Sequence, residues 1–178
     1  MAPDAARLRE VFDRVEALIE RRWNIPVRIK DVPNPFTGDL DGHSIDIDFD
    51  LDVEDALFIL VHLFGHTVQW NVSDHARRIA FRPPAPWTEP ELDEVAHYEA
   101  EACRYSLQLL HDAGVHDLDQ WVADFAACDV AYLMHFYRTG EKRPFRTFWA
   151  DGSPVLAPKP IPDFHPTQWI SRYDGTVI

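Results

Sequence analysis

The segment Phe58-Ile-Leu-Val-His62-Leu-Phe-Gly-His66-Thr-Val-Gln-Trp70 constrains the chain most. It belongs to the most apolar helical pattern in the sequence, and the long apolar run over 56–64 is interrupted only by His62. Asp52 suits the N-cap of this helix. Glu54 and Asp55 fall in its first turn, where negative charge complements the macrodipole. The pattern predicts a helix from there to about Trp70. Two histidines four residues apart on a helix lie one above the other on one face. Their imidazoles can converge on one ion, the geometry behind the H-E-x-x-H zinc motif.

A catalytic zinc takes three protein ligands and keeps one position open, so a third ligand has to come from elsewhere. The best source is Asp93-Glu-Val-Ala-His-Tyr-Glu99-Ala-Glu101-Ala-Cys103-Arg-Tyr-Ser. At about 100° per residue, Glu101 points roughly 160° round the helix from Glu99. Only one of the two can face the histidines, and the other is expected in solvent. Ala96, Ala100, Cys103 and Leu107 make a small-residue face suited to packing on the histidine helix, and Glu99 lies on it. The expected ligands are therefore His62, His66 and Glu99, with Glu101 as the alternative. Zn2+ is the expected ion. Two histidines and a carboxylate also describe the non-haem iron triad, which makes Fe2+ the alternative. His97, Tyr98 and His135 are the candidates for proton transfer. Against them stand the plainer readings of an exposed helix histidine and a packed core histidine. His75 is a reserve ligand, and Cys103 reads as an inert buried thiol.

The rest of the chain reads as a frame for this site. Residues 4–23 carry a helical stripe of Leu8, Val11, Phe12, Val15, Leu18 and Ile19, stopped by Pro26. Val27 to Val32 and Ser44 to Phe49 alternate as two short strands that pair, the second half-exposed, with turn chemistry over 34–39 and at Asp41-Gly42. Residues 71–87, with Pro83, Pro84 and Pro86, read as a linker. Thr88 and Glu91 form a capping box opening a helix to about Asp112, stopped by Gly114. Asp117 or Asp119 is expected to cap a last helix reaching Arg138 before Gly140. The expected fold class is α+β: a mostly helical domain over 1–140 with a small antiparallel-containing sheet packed on the histidine helix. The Pro- and aromatic-rich tail over 141–178 is expected to wrap the domain or a partner, including a second copy in a homodimer.

Composition narrows the partners. A net charge of -13 disfavours a phosphate backbone or an anionic membrane surface. With no apolar leader and no run long enough to span a bilayer, a cytoplasmic location is expected. Two cysteines, both in apolar helical patterns, are too few for a disulfide framework.

The order of helix, two short strands, His62-Leu-Phe-Gly-His66 helix and Glu99-Ala-Glu-Ala-Cys-Arg-Tyr-Ser helix resembles the ImmA/IrrE metallopeptidase family over about residues 5–112. The resemblance implies a gluzincin-like, zincin-type fold with zinc on His62, His66 and Glu99. It also implies a glutamate directly after the first histidine as general base, and here that position is Leu63. The family's usual Asn or Asp is Cys103. A leucine cannot take a proton. The expected function is thus a metal-dependent enzyme with altered hydrolase, lyase or cyclase chemistry on a small molecule. The alternatives are a non-catalytic pseudo-peptidase, an iron oxygenase-like enzyme, and a peptidase on a peptide substrate with another base such as Glu94.

Overall fold

In the computed structural model, which describes residues 3–33, 35–82 and 87–169, Asp4 caps the first helix, α1 (Ala5–Trp23), by accepting from the Ala6 amide. Left-handed Asn24 ends it. The predicted stripe is buried except for Leu18, which is half-buried. A three-stranded sheet follows, built from β1 (Val27–Lys30), β2 (Gly38–Leu40) and β3 (Ile45–Asp48) in the order β1-β3-β2. The central strand β3 pairs parallel with β1 and antiparallel with β2. Parallel neighbours need a crossover, and here the connection lays β2 against the far side of β3. Three residues are too few to show alternation, so β2 reads as turn in the sequence. The polar side of β3 is not open to solvent as expected. Arg28 and Lys30 clamp the Asp46 carboxylate at 2.6 and 2.7 Å and bury it.

The histidine helix, α2 (Val53–Val72), begins where Asp52 accepts from the Asp55 amide at 2.9 Å. It packs against α1, β2 and β3 and against two later helices, α3 (Asp74–Ala80) and α4 (Glu89–Asp112). The helix α3 corrects the linker reading of 71–87. Ser73 caps it by accepting from the Ala76 amide, and Asp74 sits in its first turn. Pro83, Pro84 and Pro86 lie outside the described residues. The Thr88–Glu91 capping box opens α4 as predicted. The last α-helix, α5 (Asp119–Thr139), is capped by neither expected aspartate. Leu118 holds the N-cap, while Asp117 is engaged by Arg7 and Asp119 by His111, each at 2.8 Å. Gly140, at φ +71°, ends it.

Beyond α5, a 3-10 turn at Phe145–Phe148 leads into an extended strap lying on the domain. Trp149 packs on Phe125, Phe164 on Trp23, and Arg77 over Trp169. Of the two placements expected for the tail, on the domain or on a partner, these rings lie on the domain up to Trp169; Tyr173 lies outside the described residues. The fold is α+β, mostly helical with a small mixed sheet. No helix among the described residues is long and apolar enough to cross a membrane.

Candidate metal centre

Gly65 sets how closely α2 and α4 approach. A Cβ there would lie 2.4 Å from the Ala102 carbonyl oxygen, far inside contact distance. One turn on, the Ser106 hydroxyl donates to the Val61 carbonyl at 2.8 Å. The seam therefore runs along Glu99, Ala102, Cys103 and Ser106, which share one face at three- and four-residue spacing. Ala96 and Ala100, expected on it, are only half-buried.

This close approach drives Glu99 into the histidines. The His66 Nε2 atom lies 3.0 Å from His62 Nε2 and 3.1 Å from Glu99 Oε2, and His62 Nε2 lies 3.6 Å from the same oxygen. The three side chains each offer one ligand atom, and these atoms all fall within 4.8 Å of one another. Zinc bonds of about 2.0–2.2 Å at tetrahedral angles put neighbouring ligand atoms roughly 3.4 Å apart. The observed triangle matches that spacing. His66 is fully buried, Glu99 is 3% exposed and His62 is 13% exposed. One corner of the triangle, His62, thus reaches toward solvent.

Gln69 fixes what His66 presents. The Gln69 Nε2 amide donates to two oxygens, Tyr98 O and Glu101 Oε2, both at 2.9 Å. That assignment leaves Oε1 as the acceptor facing His66 Nδ1, at 2.8 Å. With Oε1 as the acceptor, Nδ1 carries a proton, and Nε2 is the nitrogen left facing Glu99 and His62. In the interior, the 3.1 Å contact between Nε2 and the Glu99 oxygen is satisfied by a proton shared between them or by a metal ion held by both. Two imidazole nitrogens and a carboxylate oxygen at this spacing are donors that Zn2+ takes, so the residues present fit the expected ion. Tyr98 adds a second brace, its ring stacked on the His66 imidazole with centroids 4.5 Å apart.

His62 also opens on a cavity of about 440 Å³ between α2, α5, the β1–β2 loop and the segment after α5. Phe58 and Phe125, stacked at 4.5 Å, form part of its wall. Leu63 lines it where the resembled family has its base. Asp129 of α5 lines it too, with Oδ2 3.8 Å from His62 Nε2. Sequence reasoning missed both Asp129 and Gln69. Gln69 was detectable as the i+3 neighbour of His66. The signal for Asp129 was a lone carboxylate in the apolar stretch Phe125-Ala-Ala-Cys-Asp-Val-Ala-Tyr. Burial and then Asp129 raise the Tyr132 phenol, also in the cavity wall, above its ordinary range.

The other sequence candidates sit elsewhere. Glu101 is not loose in solvent. It is half-buried, ion-paired with Lys159 of the strap and bonded to Gln69. Burial pushes its carboxyl up, but the bonds from Lys159 and Gln69 outweigh it, leaving a net lowering. The Tyr98 hydroxyl accepts from Trp70 Nε1 at 2.9 Å, and Tyr98 does not line the cavity beside His62. His97 is exposed, bonded to the Asp93 carbonyl, and lines a separate depression with His75 and Glu94. Glu94 is held by Arg82. His135 packs against Phe148 near Thr139. Cys103 is buried, and burial followed by Glu99 pushes its thiol up to about 12.

The chain matches no family model, no curated protein and no solved structure.

Proposed function

We propose that this chain is a mononuclear metal-dependent enzyme of the hydrolase, lyase or cyclase kind, on a zincin-like scaffold, acting on a small molecule in the cavity beside His62. One observation carries the reading: a largely buried triangle of His66 Nε2, Glu99 Oε2 and His62 Nε2, with His66 Nδ1 held by Gln69, at the edge of a cavity. His62, His66 and Glu99 would hold Zn2+. When bound, the ion supplies Lewis acidity toward a substrate oxygen. Gln69 and Tyr98 orient His66. Leu63 keeps the adjoining wall apolar and takes no part in proton transfer. Asp129 is the carboxylate placed to accept a proton at Oδ2, and Tyr132, whose phenol stays protonated, is placed to donate a hydrogen bond.

Leu63 also favours a second reading, a binding module descended from a peptidase, with the ion as a structural staple. Metal analysis of protein purified without added metal tests the first premise. The expected result is one zinc per chain, lost in Glu99→Gln while the helical spectrum is kept. A folded chain without metal contradicts the proposal, and stoichiometric iron redirects it to the oxygenase alternative. Leu63→Glu separates the two readings. Acquired peptide hydrolysis favours the silenced peptidase, and none favours altered chemistry.

A further inference from the structure

We infer that the cavity beside His62 takes a small organic acid, with its apolar or aromatic body against the phenylalanines and its carboxylate on Arg143. This names the substrate class for the site proposed above and rests on that reading for the chemistry, though not for the binding. The cavity holds about 440 Å³, within the range of about 300–1,000 Å³ usual for small-molecule sites. Its walls are built largely of rings, among them Phe36, Phe58, Phe125 and Phe145. Such walls select an apolar body and leave orientation to the few charged groups.

Four charged side chains line it: Asp55, Asp129, Arg143 and Arg146. Arg146 is already committed. It bonds Glu54 at 3.0 Å and Asp55 at 3.1 Å, and lies over the Phe125 ring at 4.5 Å. Asp129 faces His62, at the metal end. Arg143 is exposed, lines the cavity, and makes no hydrogen bond, ion pair or ring contact among the described residues. A guanidinium offers a planar fork that matches a carboxylate with two parallel bonds. The overall charge of -13 does not decide the matter. Exposed charges are screened beyond about 8 Å at physiological salt, and the cavity lining itself is balanced, two acids against two arginines.

The test uses three probes on the full chain: 3-phenylpropionate, its uncharged amide and acetate. Binding is followed by amide chemical-shift titration, both with zinc and after chelation, because the ion itself could hold a carboxylate. The expected result is that 3-phenylpropionate binds at least about tenfold tighter than the amide in both states, and that acetate, lacking the body, binds weakly. Arg143→Gln, at an exposed position without a partner among the described residues, should abolish the preference by weakening the acid far more than the amide. Equal affinity for acid and amide overturns the inference, as does a preference that survives Arg143→Gln. A preference seen only with zinc assigns the carboxylate to the metal and overturns the role of Arg143 while supporting the metal site. A preference in a chain that never takes up zinc supports this inference and removes only the metal reading.

Discussion

Gln69 engages His66 Nδ1 and leaves Nε2 toward Glu99, the orientation a shared metal ion would need. Its amide cannot be turned over without setting its oxygen against Tyr98 O and Glu101 Oε2. Gln69→Leu removes the acceptor and frees the tautomer. Loss of such a supporting group costs about 10- to 100-fold in metal affinity, and zinc competition against a chromophoric chelator should show a fall of that size with the fold intact. The two thiols give a prediction of a different kind. Burial and then Glu99 hold Cys103 up at about 12, and burial and then Asp129 hold Cys128 up at about 11. Both stay protonated at pH 8, and thiolate is the reactive form. Iodoacetamide should label neither at an appreciable rate in the native chain, and both rapidly in denaturant.

The pairing of α2 with α4 does for the helices what Gln69 does for one ring. Gly65→Ala would drive a methyl into the Ala102 carbonyl, which is backbone and cannot swing aside. Overpacking of this kind costs about 1–3 kcal/mol. It should also separate His66 from Glu99, so urea unfolding and zinc affinity should weaken together. The histidine pair, its helix and Glu99 were all legible beforehand, because helical periodicity fixes which side chains share a face. The register between α2 and α4 was not. It depends on where a glycine on one helix meets a backbone carbonyl on the other, and that placed the seam at Ala102 and Ser106 rather than Ala96 and Ala100. Asp129 stayed hidden for a similar reason: only tertiary packing brings α5 beside His62. The short elements β2 and α3 were lost because three residues show no period and a proline cluster overshadowed the Ser73 cap.

The strap after α5 ties the chain together and connects its surface to the site. Lys159 pairs with Glu101, which bonds Gln69, which bonds His66, and the Lys159 amide donates to the Arg104 carbonyl at 3.0 Å. The folded Glu101 carboxyl titrates below its ordinary value. Its contribution is therefore complete above the unfolded carboxylate pKa and is lost as pH falls through the lowered folded value. Protection of the Lys159 amide, measured as exchange relative to its intrinsic rate, should hold from neutral pH to the usual carboxylate range and fall below it, as pH drops toward the lowered folded value. In Glu101→Gln it should be weaker already at neutral pH. All of these links converge on the claim that one cation belongs between α2 and α4. Anomalous diffraction at the zinc edge, from crystals grown with zinc, tests it most directly. The account predicts a single strong peak within about 2.0–2.2 Å of His62 Nε2, His66 Nε2 and a Glu99 carboxylate oxygen. A map with no peak there, and the three side chains turned to separate hydrogen-bond partners, would contradict it.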